Sequence, residues 1–202
     1  MNVRYFYKPK KECITEMKIK KSLFISYITD ISTENIIRDL LNPVKKQHNM
    51  ADHNCYAYRY GLDNIVEYYS DDGEPSGTAG RPILNAIHNN ELTSTLIIVT
   101  RYFGGIKLGV RGLIDAYYNS ACVVIEKAGI KKCIPAFSIT FSVGYDNYNM
   151  VVNKIIEICG DKIQPLCKYT DKIIVKMAIP FMYKREVIEY LNSQKNRKIV
   201  SF

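Results

Sequence analysis

Two glycine-rich loops hold most of the residue types in this chain that can do chemistry. The first reads Asp71-Asp72-Gly73-Glu74-Pro75-Ser76-Gly77-Thr78-Ala79-Gly80-Arg81-Pro82, and the second spans residues 104–112. Each runs into the start of an expected helix. Glycine lets the backbone turn its N–H groups inward without a Cβ clash, and a helix N-terminus adds partial positive charge. Such places bind phosphate. The candidates are Ser76, Gly77, Thr78, Gly80 and Arg81 in the first loop, with Arg101, Gly104, Gly105, Lys107 and Arg111 around the second. The plain alternative is that the glycines only make tight turns. Neither loop matches a dinucleotide or Walker pattern.

Three further groupings carry possible chemistry. Asp71, Asp72 and Glu74 place three carboxylates within four positions. They can act as acid–base groups, hold a hard cation such as magnesium, bond the amides of the following loop, or sit in water. Their spacing is not that of an EF-hand, and the sequence points to no bound metal and no cofactor. His53 and Cys55 are a base and a thiol two residues apart. On one strand their Cβ atoms would lie roughly 6–7 Å apart with no third group to orient them, which favours a structural role. Arg101-Tyr102-Phe103 sets a cation beside aromatics that can stack on unpaired bases, though an apolar strand explains the rings as well. His48 and His88 sit in polar stretches with no evident partner.

These groups need elements to hold them. Residues 14–19 and 23–28 read as strand on either side of Lys20-Lys21-Ser22. A helix capped by Ser32 or Thr33 follows, with Ile36, Ile37, Leu40 and Leu41 at helical spacing, and Pro43 is expected to end or kink it. Residues 55–60 and 65–69 read as a hairpin, and a short helix should begin near Pro82. Residues 96–103 form a buried strand, and the amphipathic stretch after Gly109 forms the strongest helix, stopping at Gly129. Residues 131–135 read as a linker. Beyond it lie an alternating strand at 137–145, a helix from Tyr148 to Cys159, a hairpin of 163–169 with 173–179, a helix at 181–191 and a last strand at 199–200. That order, βαββαβ, is the ferredoxin-like arrangement. The chain is thus expected to be α+β, with one domain over residues 1–132 and a second over 133–202.

Composition sets limits. The formal charge of +8, shared evenly by the two halves, suits phosphate backbones but also an ordinary basic surface. Six cysteines form no Cys-x-x-Cys pair and have no histidine at metal-ligand spacing, so reduced thiols in a cytoplasmic protein are expected. No signal-peptide core or membrane span is expected.

The first loop and the run Val99-Thr100-Arg101-Tyr102-Phe103-Gly104-Gly105-Ile106-Lys107-Leu108-Gly109 resemble the hallmark segments of the IMPACT/YigZ family. So do His53-Asn54-Cys55-Tyr56-Ala57-Tyr58-Arg59 and Lys20-Lys21-Ser22-Leu23-Phe24. The resemblance spans roughly residues 12–130. It implies an N-terminal domain with the fold of the second domain of ribosomal protein S-five, and a C-terminal ferredoxin-like domain similar to the last domain of elongation factor G. It further implies contact with RNA, the ribosome or a protein partner in translation control. Two positions depart from the family pattern: Arg111 stands where a glycine is usual and Asp115 where a cation is usual. One helical turn apart, they can pair with each other.

On these grounds the chain reads as a cytoplasmic, translation-associated binding protein for RNA, the ribosome or a translation-control partner. The alternative is an enzyme acting on a phosphorylated small molecule or nucleic acid through the same two loops, with Asp71, Asp72 and Glu74 as its acids.

Overall fold

A computed structural model describes residues 5–160 and 163–201. The chain divides between Cys133 and Ile134 into two compact units.

The N-terminal unit is built on five antiparallel strands: β2 (Cys13–Ile19), β3 (Ser22–Asp30), β6 (Thr95–Tyr102), β4 (His53–Tyr60) and β5 (Val66–Ser70), in that spatial order. β6 is central because its residues from Thr95 to Arg101 are all buried. Antiparallel sheets usually alternate apolar and polar. Here both faces are covered, so the run is continuous. Ile97 and Val99 pack under α2 (Gly80–Asn89) and α3 (Gly109–Ala128), against Ile83, Ile87, Leu113 and Tyr117. Leu96 and Ile98 meet Ile37 and Leu41 of α1 (Glu34–Gln47) on the opposite face.

Several expectations need correction. Pro43 lies inside α1, which continues to Gln47 and gives up one backbone N–H bond rather than ending. Neither does a side chain cap that helix at Thr33. α2 starts at Gly80, two residues before Pro82; any first-turn position tolerates proline because those N–H groups have no helical partner. The expected linker is partly strand: β7 (Ile130–Cys133) pairs antiparallel with β1 (Phe6–Pro9). This ribbon lacked an alternating apolar signal, being polar and largely exposed at β7. Lys20 and Lys21 form the two-residue turn between β2 and β3 with φ of 44° and 70°. That left-handed geometry normally favours Asn-Gly.

The C-terminal unit runs β8 (Ala136–Val143), α4 (Tyr145–Cys159), β9 (Leu166–Tyr169), β10 (Ile173–Pro180), α5 (Lys184–Asn196) and β11 (Val200–Ser201). The sheet order β11-β8-β10-β9, all antiparallel, is the ferredoxin-like order. Phe141, Val143, Val175 and Met177 of the sheet pack on Val151, Ile155, Val187 and Leu191 of the helices. β9 begins only after Pro165, shorter than expected, and residues 181–183 are a 3₁₀ turn ahead of α5. Among the described residues no helix is long and apolar enough to cross a membrane.

Candidate functional site

The first glycine-rich loop is closed from within. Asp71 Oδ2 accepts the Gly77 N–H at 2.8 Å, and Oδ1 accepts the N–H groups of Ala79 at 3.0 Å and Gly80 at 2.8 Å. The Thr78 N–H bonds the Pro75 carbonyl at 3.0 Å, which also accepts the Thr78 hydroxyl. An external phosphate therefore finds no free backbone donor at Gly77, Thr78 or Gly80, because the loop carries its own anion. Ser76 and Arg81 remain on the surface beside it.

The carboxylates are dispersed. Asp72 accepts the Asn54 N–H at 2.7 Å and pairs with Lys45 at 3.1 Å. Glu74, 8% exposed, accepts Arg101 Nη1 at 2.6 Å and the Tyr117 hydroxyl at 2.8 Å, both at Oε1. The three acids do not converge as an acid–base or magnesium set, since Asp71 and Asp72 hold backbone. Arg101 is also internal. It is 5% exposed, is neutralised by Glu74, and its guanidinium lies between the rings of Phe24 and Phe103, 5.6 and 5.4 Å from their centroids. Arg111 pairs with Asp115 at 3.1 Å across one turn, as their spacing suggested.

His53 and Cys55 separate in role. The Cys55 thiol donates to the Asp71 carbonyl at 2.9 Å, and burial pushes its pKa up, which favours the protonated thiol. His53 sits opposite Arg101 in the β4–β6 ladder, with Nδ1 2.8 Å from the Asp72 carbonyl. Gly73 lets the loop pass over that ring, where a Cβ would lie 3.3 Å from Nδ1. The other histidines are partnered as well: His48 bonds the Tyr102 hydroxyl at 2.9 Å, and His88 bonds Glu67 at 2.8 Å.

The second loop is open. Among the described residues no acceptor pairs with the N–H groups of Gly105, Ile106, Lys107 or Leu108. The first turn of α3 adds the open amides that every helix start leaves. Gly105 and Gly109 have φ of 82° and 72°, which lets this loop keep its shape. A hollow of about 440 Å³ lies against it, lined by Asp52, His53, Glu74, Phe103, Lys107 and Val110 among others. Phe103 is 44% exposed, so core packing does not account for it.

Gly104 anchors this loop to the sheet. A Cβ there would overlap the Lys21 carbonyl, and its N–H reaches Ser22 Oγ at 3.3 Å. Gly104→Ala is expected to cost about 2 kcal/mol through overpacking, read as a lower urea midpoint. An unchanged midpoint would mean the Lys20–Lys21 turn yields freely.

The sequence profile described as Impact N-terminal domain matches residues 20–125, more than half of the chain. The chain belongs to the Impact family. The chain is 45% identical over 115 residues to the IMPACT family member YvyE of Bacillus subtilis, covering 57% of this chain and 53% of that one. An IMPACT family member of Haemophilus influenzae is 41% identical over 113 residues, covering 55% of each. The chain spans about half the length of these two relatives. IMPACT family member YigZ of Escherichia coli is 28% identical over 165 residues, covering 81% of this chain and 80% of its own. A crystal structure of a hypothetical protein superposes with a TM-score of 0.70 at 24% identity, covering 98% of this chain and 96% of that one. That likeness speaks to the fold.

Within the N-terminal unit, Asp52, His53 and Phe103 also line the hollow, outside the residues that the glycine-rich loops single out. Near His53 the local sequence offers only Cys55; Glu74 and Arg101, its neighbours in the fold, arrive from distant segments. Phe103 carried a local signal, since a residue directly before Gly104-Gly105 stands where the strand leaves the core.

Proposed function

We propose that this Impact-family protein is a translation-associated binding protein that contacts RNA through a phosphate held at the start of α3. The translation setting rests on the family resemblance of its motifs. The observation that carries the RNA contact is the set of N–H groups at residues 105–108 left unpaired among the described residues, of which Lys107 and Leu108 line an open hollow. A phosphate there gains charge-assisted hydrogen bonds and the helix dipole together. A net charge of +8 favours the encounter.

Binding of the full chain to single-stranded RNA and to ribosomes is the test, across roughly 50–200 mM salt. Affinity is expected to fall steeply as salt rises. Lys107→Ala is expected to shallow the log–log slope by about 0.7, one single-strand phosphate contact, without changing thermal stability. Salt-independent binding, or a Lys107→Ala slope equal to the parent's, overturns the reading.

A further inference from the structure

The hollow beside α3 has two chemically opposite walls. One holds donors: Lys107 and Leu108, whose N–H groups are unpaired among the described residues, and the Lys107 ammonium. The other is rich in acceptors. Glu74 is more than nine-tenths buried, and its Oε1 is saturated by Arg101 and Tyr117. Its Oε2 makes no hydrogen bond among the described residues, and His53 Nε2 lies 3.9 Å away. His53 Nδ1 lies against the Asp72 carbonyl, which can only accept, so Nδ1 carries the hydrogen. In the neutral ring Nε2 is then a second acceptor with nothing donated to it. Asp52, whose Oδ2 takes the Phe103 N–H at 2.7 Å, stands at the mouth with its other oxygen open. None of these three acceptors is closed off from solvent, and a ligand that supplies donors to them gains hydrogen bonds, charge-assisted at the two carboxylates.

Phosphate alone does not fit this arrangement, because the acceptor wall repels it. The complement is a molecule with an anion at one end and hydroxyl donors a few ångströms away. From this geometry we infer that the hollow takes a ribose phosphate. The phosphate sits on the α3 amides and Lys107, and the sugar hydroxyls donate toward Glu74 and His53. The base lies on the exposed face of Phe103, whose other side is backed by the Arg101 guanidinium. A volume of about 440 Å³ holds one nucleotide and excludes a duplex. The inference deepens the proposed function and rests on it. It adds that the site tells RNA from DNA, because only RNA brings the 2′-hydroxyl to the acceptor wall.

The test compares the full chain's affinity for one sequence made as RNA, as 2′-O-methyl RNA and as DNA, each single-stranded and at the same salt. RNA is expected to bind about tenfold more tightly than either analogue, the worth of one added hydrogen bond. His53→Ala is expected to bring the three affinities together. This variant can disturb the loop, so the parent's own ranking of the three strands is the primary readout. Equal affinity for RNA and DNA overturns the inference while leaving phosphate binding intact. No binding to any strand overturns the proposed function and the inference with it. A competition arm separates the two sources of a ribose phosphate. Displacement by adenosine 5′-monophosphate but not by its 2′-deoxy form assigns the site to a nucleotide on its own. Displacement by neither, with the RNA preference kept, assigns it to a nucleotide within a strand.

Discussion

Cutting Glu74 back to alanine is expected to destabilise the N-terminal unit by about 4 kcal/mol, among the largest effects available to a single substitution in it. The reason is desolvation. Arg101 is 5% exposed and Glu74 is 8% exposed. Removing the carboxylate strands a guanidinium whose Nε already lacks a partner and leaves the Tyr117 hydroxyl without its acceptor. Arg101→Met is expected to be nearly as damaging, because it leaves a buried carboxylate uncompensated. The double variant Glu74→Met/Arg101→Met should recover most of the loss, since apolar groups of similar volume often replace a buried pair at little cost. Urea unfolding of the parent, Glu74→Met, Arg101→Met and the double variant closes the cycle, with Glu74→Ala measured beside it. A Glu74→Ala cost below about 1 kcal/mol would mean that water reaches the guanidinium.

Asp71→Ala is expected to cost about 3 kcal/mol by a different route. One carboxylate accepts three backbone N–H groups, at Gly77, Ala79 and Gly80. Ala79 and Gly80 are buried, so two of those donors cannot turn to water, and each stranded donor costs about 1–3 kcal/mol. Asp71→Asn should lose about half as much, because its remaining oxygen can still serve the Ala79 and Gly80 amides while the Gly77 bond is lost. The same chemical denaturation checks both variants, and equal costs for alanine and asparagine would contradict the account. The loop should also become more open to proteolysis between Gly73 and Gly80, since its closure depends on that one side chain.

The two acids thus do work that their sequence context left undecided. The sequence left Asp71, Asp72 and Glu74 open to several roles (acid–base groups, loop anchors or solvated side chains, with a metal disfavoured), because three acids in four positions say nothing about which backbone donors will lie near them. Those donors are set by how the chain folds back. The Asn54 N–H reaches Asp72 across the sheet, and Arg101 reaches Glu74 from β6. The two glycine-rich loops looked alike for the same reason. One acquired an internal anion and the other did not, and only the return of Asp71 onto residues 77–80 separates them.

Periodicity made most of the frame readable in advance. Alternation at 137–145, helical spacing after Gly109 and the continuous apolar run of β6 each follow from which side must face a core, so local sequence suffices, although the strand itself ends at Val143. The order of elements in the C-terminal unit followed from the same signals. What local signals could not reach were pairings over long distance: the polar ribbon of β1 with β7, the continuation of α1 through Pro43, and the meeting of His53, Glu74 and Phe103 around one hollow. Hydrophobic periodicity is a property of a segment. A binding site is a property of segments brought together, so its donors and acceptors are assigned only when the tertiary fold has used up the ones it needs for itself.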